Sequence, residues 1–248
     1  MPSKTPVALV TGAAHRLGAQ TARTLHARGW NLVVHYRSRE EQANSLIEQM
    51  NRQRPDSACA LQADLSQTPA LKRLASGAVE HWGRLDALVN NASVFFPTPT
   101  AEATEDDWDT ILNTNLRAPF FLLQACLTEL RRNRGSVVNL IDIYSERPID
   151  DHPLYCASKA GLAALTRSWA KDLAPEVRVN GVSPGAILWP EGEAEMDPSA
   201  QRAILDKTPM ARTGNPDDIA ETIAFLICDA PFITGQIIAV DGGRSLNM

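Results

Sequence analysis

Short apolar runs alternate with longer amphipathic stretches along this chain, and the alternation sets the expected architecture. Pro6 to Thr11, Asn31 to Tyr36, Ala58 to Ala63, Leu85 to Asn91, Ser136 to Ile141, Val177 to Val182 and Ile237 to Gly243 read as strands. Helical patterns fill the intervals: after Gly18, from Glu40, over Thr68 to Trp82, over Asp107 to Leu130, over Cys156 to Ala174 and over Pro216 to Ile227. Strands alternating with helices require crossover connections, so the sheet is expected to be parallel and covered by helices on both faces. The segment from Ile187 to Asp206 breaks the rhythm with Trp189, Pro190, Glu191, Gly192, Glu193 and Glu195. It reads either as a binding loop, about 186–208, or as unstructured surface.

Composition narrows the classes. A chain of 248 residues suits one α/β domain spanning 1–248. With 24 Lys and Arg against 29 Asp and Glu, the net charge of -5 offers no overall basic field for nucleic acid or an anionic membrane. Cys59, Cys126, Cys156 and Cys228 are far apart, as are the five histidines, so reduced thiols and no metal site are expected. No stretch has the length of a signal peptide or a membrane span, and a cytoplasmic protein is expected.

Three places carry candidate chemistry. The strand ending at Thr11 runs into Gly12-Ala13-Ala14-His15-Arg16-Leu17-Gly18 and then a helix. In such a unit the turn brings backbone N–H groups and the positive helix end up to a pyrophosphate. The second strand ends in His35-Tyr36-Arg37-Ser38-Arg39 without an acid. An acid there binds the ribose 2′-hydroxyl of NAD and an arginine accommodates a 2′-phosphate, so NADP is favoured over NAD, although the arginines also suit a solvated turn. Asp142 closes the fifth strand, and Tyr155 and Lys159 stand four residues apart at the start of a helix, stacked on one face. A cation there is expected to lower the phenol's pKa and make Tyr155 a proton donor, though Tyr-x-x-x-Lys also fits an ordinary helix face.

Thr11-Gly12 with Gly18, Asp64-Leu65, Asn90-Asn91-Ala92, Asn115, Tyr155-x-x-x-Lys159, Pro184-Gly185 and Asp241-Gly242-Gly243 occur in this order across nearly the whole chain. This ensemble resembles the short-chain dehydrogenase/reductase family. The resemblance implies a Rossmann-type doubly wound α/β domain with a seven-stranded parallel sheet, and an NADPH-dependent oxidoreductase. It implies Tyr155 as proton donor, Lys159 on the nicotinamide ribose, and Asn115 holding a proton-relay water. The expected cofactor surface comprises Gly12, Arg16, Leu17 and Gly18, then His35, Tyr36, Arg37 and Ser38, then Asp64, Leu65, Asn91, Ala92 and Ser93, with Tyr155, Lys159, Pro184 and Gly185 at the nicotinamide end.

Two departures refine the resemblance. Arg16 stands where most members have a glycine, and Asp142 where most have a serine. Both look like pteridine reductases, as does Asn91-Ala92-Ser93-Val94-Phe95-Phe96-Pro97-Thr98. That subfamily implies a pterin, or a folate, bounded by Arg16, Ser93 and Phe95 and served by a proton route through Asp142, Tyr155 or water. Leu188 and Trp189 are expected to face the substrate. A carboxylate can pass protons and accept bonds from ring N–H groups, which a serine hydroxyl does less well. A general carbonyl reductase acting on 3-oxoacyl thioesters is the competing reading, and a non-catalytic NADPH-binding regulator a further one. The family also implies a homotetramer built on the two helical regions around Asn115 and Tyr155, through Leu116, Phe120, Leu162, Leu165 and Trp169.

Overall fold

The computed structural model describes residues 5–189 and 196–247. Seven parallel strands form one sheet in the order β3-β2-β1-β4-β5-β6-β7. They are β1 (Val7–Val10), β2 (Asn31–Tyr36), β3 (Ala58–Gln62), β4 (Ala87–Asn90), β5 (Ser136–Leu140), β6 (Arg178–Pro184) and β7 (Ile237–Val240). Eight α-helices accompany them among the described residues: α1 (Arg16–Ala27), α2 (Glu40–Gln53), α3 (Thr68–Glu80), α4 (Glu105–Leu112), α5 (Ala118–Arg132), α6 (Pro153–Leu173), α7 (Pro198–Asp206) and α8 (Pro216–Cys228). The Rossmann-type arrangement expected from the sequence is the one observed.

The strands are buried on both faces, and successive residues feed two different cores. Val7 and Leu9 of β1 join Leu71, Leu74, Leu122 and Leu162 on the α3, α5 and α6 side. Their neighbours Ala8 and Val10 join Leu25, Leu46, Met50 and Ile223 on the α1, α2 and α8 side. This is the period-two geometry of a pleated strand acting in a sheet that has no wet face. Leu9, Leu25, Leu71, Leu122 and Leu162 are all fully or almost fully excluded from solvent, and each contributes about 1.5–3 kcal/mol of transfer free energy.

The order of the sheet reverses between β1 and β4, and there the strand ends splay apart. In open α/β sheets this reversal opens a crevice beyond the carboxyl ends of the strands. Val10 pairs with both Val34 and Val89, so the loops after β1, β2 and β4 converge on one place. Asp86 fixes the other end of β4. Its carboxylate accepts from the Val7 N–H at 2.8 Å and from two Arg84 nitrogens at 2.8 and 2.6 Å.

Two expectations change at the element level. The helical region around Asn115 is not one helix, because α4 and α5 are joined by a π-helical turn over Asn113–Arg117. Its cause is Asn115 itself, whose inward side chain is tied to the β4 loop, and an extra residue in the turn accommodates that pull. The segment after β6 contains a regular helix, α7, started by Asp197, whose carboxylate caps Ser199 and Ala200 at 2.8 and 2.9 Å. The expected loop residues Pro190, Glu191, Gly192, Glu193 and Glu195 lie outside the described residues.

The residues named for an assembly face differ in exposure within the chain. Leu162 and Trp169 are spent inside the α6 core, while Phe120 stays 39% exposed with its ring 5.9 Å from Trp169. No helix among the described residues is long and apolar enough to cross a membrane.

Candidate active site

Two adjoining cavities lie above the sheet's switch point. The first, about 380 Å³, runs from the β1 turn to the ends of β2 and β3. Gly12, Arg16, Leu17, Gly18, His35, Arg37, Ser38, Asp64, Leu65, Asn91, Ala92 and Ser93 line it, as the sequence predicts. Arg39, the second of the two arginines noted at the end of β2, also lines it, as do Ala14, His15, Val94 and Thr114, which were not assigned to the cofactor from the sequence. Tyr36 does not line it, because that side chain sits beside Glu40, whose negative charge adds to burial in raising the phenol's pKa.

The glycine turn is built by contacts that leave no space. A Cβ on Gly18 would lie 2.4 Å from the Gly12 carbonyl and 2.5 Å from Asn91 Nδ2. Gly12 has a φ of +62°, which favours glycine, and Arg16 holds a φ of 51° in the same left-handed region. Gly18→Ala is therefore expected to cost about 1–3 kcal/mol of overpacking. A melt of the variant should show a lower transition and a smaller upward shift on adding NADPH; an unchanged melt would mean the helix slides freely against the turn.

His35 braces this turn from below. Its Nδ1 accepts from the Gly12 N–H at 3.0 Å and its Nε2 donates to the Ala63 carbonyl at 3.1 Å. Both ring nitrogens are thus used, one as acceptor and one as donor, which requires the neutral ring. Burial lowers its pKa to about 4, against the raising effect of the Ala63 bond. Asn91 is similarly committed, donating to the Thr11 and Gly12 carbonyls at 2.7 and 3.2 Å. Since Gly12 gives its N–H to His35, the donors left for a pyrophosphate are those of the first turn of α1, where His15 supplies no side-chain cap. The fit to a dinucleotide is good: a crowded glycine turn, an uncapped helix start and a basic far end around Arg37 and Arg39.

The second cavity, about 450 Å³, is lined by six predicted substrate residues: Arg16, Phe95, Asp142, Tyr155, Leu188 and Trp189. Ser93 faces the first cavity and Gly185 this one. Pro184 and Lys159 line neither. Arg16 joins the two cavities and donates through Nη2 to the Leu188 and Trp189 carbonyls at 3.1 and 2.9 Å, fastening the start of the substrate loop. Phe95 stacks on His152, with ring centroids 4.5 Å apart and an 11° tilt, and meets Tyr155 edge-on at 4.7 Å. The sequence had given Phe95 a substrate ring as its partner; His152 was missed.

Asp142 and Tyr155 are hydrogen-bonded to each other. The Tyr155 hydroxyl donates to Asp142 Oδ2 at 2.8 Å, while Asp142 Oδ1 accepts from the Tyr144 N–H at 3.0 Å. Burial raises the Asp142 pKa, opposed by these bonds and by the charges of Lys159 and Arg244. Tyr155 is raised well above its ordinary value by burial and then by Asp142. The expectation that Lys159 lowers the Tyr155 pKa is corrected here. Lys159 points its ammonium at the Leu140 carbonyl, 2.8 Å away, and lies 5.7 Å from the Tyr155 ring centroid. Burial lowers its own pKa to about 8. Burial first, and then the neighbouring carboxyl, raise the phenol's pKa.

The Asn115 side chain is engaged by its neighbours within the fold. Its Oδ1 accepts from Ser93 Oγ and the Val94 N–H at 3.1 and 2.9 Å, and its Nδ2 donates to the Val94 carbonyl and Ser158 Oγ at 2.9 and 3.2 Å. All of the amide's capacity is consumed in joining the β4 loop to α6. Its side chain is a clamp between the β4 loop and α6. Tyr144, Ile149, Ala186, Met196, Ile204 and Arg244 line the substrate cavity without having been found in the sequence. They come from four separated segments, and a lone arginine after Asp241-Gly242-Gly243 was the sole local signal among them.

Comparison with known proteins places this geometry in a family. The family model described as enoyl-(acyl carrier protein) reductase matches residues 12–245. Pteridine reductase 1 of Leishmania tarentolae is 35% identical, over 97% of this chain and 96% of that protein. The 3-oxoacyl-[acyl-carrier-protein] reductase FabG of Staphylococcus aureus (strain Mu50) is 36% identical, over 96% of this chain and 98% of its own length. With its motifs set at the switch point of a seven-stranded parallel sheet, this chain belongs to the short-chain dehydrogenase/reductase family and is an oxidoreductase.

Proposed function

We propose that the protein is an NADPH-dependent pterin reductase, converting a dihydropterin to its tetrahydro form. The observation that carries the reading is the Asp142–Tyr155 hydrogen bond of 2.8 Å inside a cavity that also holds Phe95 and Arg16. A carbonyl oxygen gains little from an ionised carboxylate, whereas a ring nitrogen that must be protonated matches an acid whose pKa burial has raised. The apolar walls of Phe95, Leu188 and Trp189 suit a flat heteroaromatic ring.

When bound, NADPH supplies the hydride. Arg37, Ser38 and Arg39 at the far end of the first cavity favour the 2′-phosphate, and no acid competes there at the end of β2. Arg16 orients the substrate loop through its carbonyls. Asp142 and Tyr155 hold the proton to be delivered to ring nitrogen, and their bond makes the two titrate as a pair. Lys159 holds the Leu140 carbonyl and so fixes the strand end from which Asp142 projects. We also propose a homotetramer through the open face around Phe120, which sedimentation at micromolar concentration checks.

The test follows NADPH oxidation with dihydrobiopterin, dihydromonapterin, dihydrofolate and acetoacetyl thioester in parallel, each repeated with NADH. Turnover of the pterins with a preference for NADPH is the expected result. Turnover of the thioester alone would overturn the pterin reading and make the protein a general carbonyl reductase.

A further inference from the structure

Arg244 is the least explained charge in the substrate cavity. It follows Gly242 and Gly243, whose φ values of 63° and 84° turn the chain back after β7, and it opens a 3-10 turn over Arg244–Leu246. The reversal sends the side chain toward the loop after β5, and Arg244 lines the cavity together with Asp142, Tyr144 and Tyr155. It is only 8% exposed. Nη2 donates to the Tyr144 hydroxyl at 3.2 Å, and the guanidinium stands 5.9 Å from that ring. Nε and Nη1 are buried with no hydrogen-bond partner among the described residues.

A buried guanidinium with two unspent donors carries desolvation that its single bond to Tyr144 offsets only in part. The nearest acid in the cavity, Asp142, has committed its two oxygens to Tyr144 and Tyr155, and burial holds it toward its neutral form. The other cation lining the cavity, Arg16, is fastened to the Leu188 and Trp189 carbonyls. The unspent donors sit on different edges of the guanidinium, because Nη2, which shares an edge with each of them, is given to Tyr144; what they offer an oxyanion is a buried positive charge with single charge-assisted bonds.

We propose that Arg244 is a specificity residue that receives a carboxylate or phosphate carried by the substrate, so that this cavity selects an anionic substrate over its neutral analogue. The inference deepens the reading of this cavity as the substrate site, and it holds for any reducible ring or ketone that bears the anion. It also gives the cavity's charge a purpose: the anion completes a site that the protein alone leaves unbalanced.

Two matched pairs test it in NADPH oxidation: dihydroneopterin 3′-phosphate against dihydroneopterin, and acetoacetate against ethyl acetoacetate. The anionic member of the pair that turns over is expected to have the higher kcat/KM. Arg244→Gln should raise its KM roughly 10- to 100-fold, the equivalent of a lost charge-assisted contact, and move the KM of the neutral member far less. Arg244→Lys, which keeps the cation in place should the glutamine variant not fold, should retain part of the selectivity because an ammonium keeps the charge without the planar guanidinium's fixed donors. Anion preference confined to the keto pair and abolished by Arg244→Gln would sustain the role of Arg244 and remove the pterin reading. Pterin turnover without anion preference, or with a preference that survives in Arg244→Gln, would overturn the role of Arg244 and leave the pterin reading standing. Equal loss for both members of a pair would reduce Arg244 to a support for Tyr144, and absence of turnover for both pairs would overturn the inference.

Discussion

Tyr155→Phe is expected to lower kcat for dihydropterin reduction by about 10²- to 10⁴-fold, the contribution of a positioned proton donor. KM should move little, because the ring's edge contact with Phe95 survives the loss of the hydroxyl. Asp142→Ser is the companion variant. It removes the carboxyl to which Tyr155 donates and restores the residue that most of the family carries at this position. Turnover of dihydropterin should fall, and the pH profile should lose the limb that the raised Asp142 pKa creates. The sign follows from the direction of that shift: burial keeps Asp142 protonated to higher pH than an ordinary carboxyl, so the acid form is lost as pH rises through its folded value. Because Tyr155 is raised too, the profile reports the pair and not either residue alone. An Asp142→Ser enzyme as active as the parent, or more active, would sink the proton role of Asp142.

Acidification should destabilise the fold through His35. Its folded pKa, about 4, lies below the ordinary histidine value of 6.5, so between those limits the unfolded chain binds more protons than the folded one. Stability from this group is fully present above pH 6.5 and drains away as pH falls toward 4. The full loss is about 3 kcal/mol, which for a chain of this size lowers the melting temperature by about 6–12 °C. His26, whose pKa burial also lowers, contributes in the same direction, so the comparison has to be with a variant. His35→Gln keeps a donor and an acceptor without the titration. It should melt lower than the parent at pH 7.5 and lose less on moving to pH 4.5. Equal slopes would assign the acid loss to other groups. The same protonation abolishes the acceptor for the Gly12 N–H, so NADPH affinity should weaken over the same pH range.

The difference between His35 and Phe95 shows which kinds of role a sequence can carry. Both were placed among binding residues because they stand next to recognisable motifs, and both do line the cavities. What His35 does there depends on the Ala63 carbonyl, which β3 delivers through its pairing with β2. What Phe95 stacks on depends on His152 at the start of α6. Neither partner has any fixed separation from its motif.

The sequence by itself determined the alternation of strands and helices, the seven runs that became the sheet, the glycine turn and the Asp142, Tyr155 and Lys159 constellation. These are legible because they are written in local periodicity and in spacings of a few residues, which backbone geometry converts directly into faces and turns. Only the tertiary structure decided which atoms those residues spend on one another. Lys159 turned to the Leu140 carbonyl because a buried ammonium takes the nearest strong acceptor, and burial, followed by the neighbouring carboxyl, came to set the Tyr155 pKa. Asn115 forced a π turn because its amide is held from two sides. Arg244 reached Tyr144 across 100 residues of chain because β7 lies beside β6 at the end of the sheet and two glycines reverse the backbone there. Buried polar groups choose partners by distance in the folded chain, and that distance has no counterpart in sequence spacing.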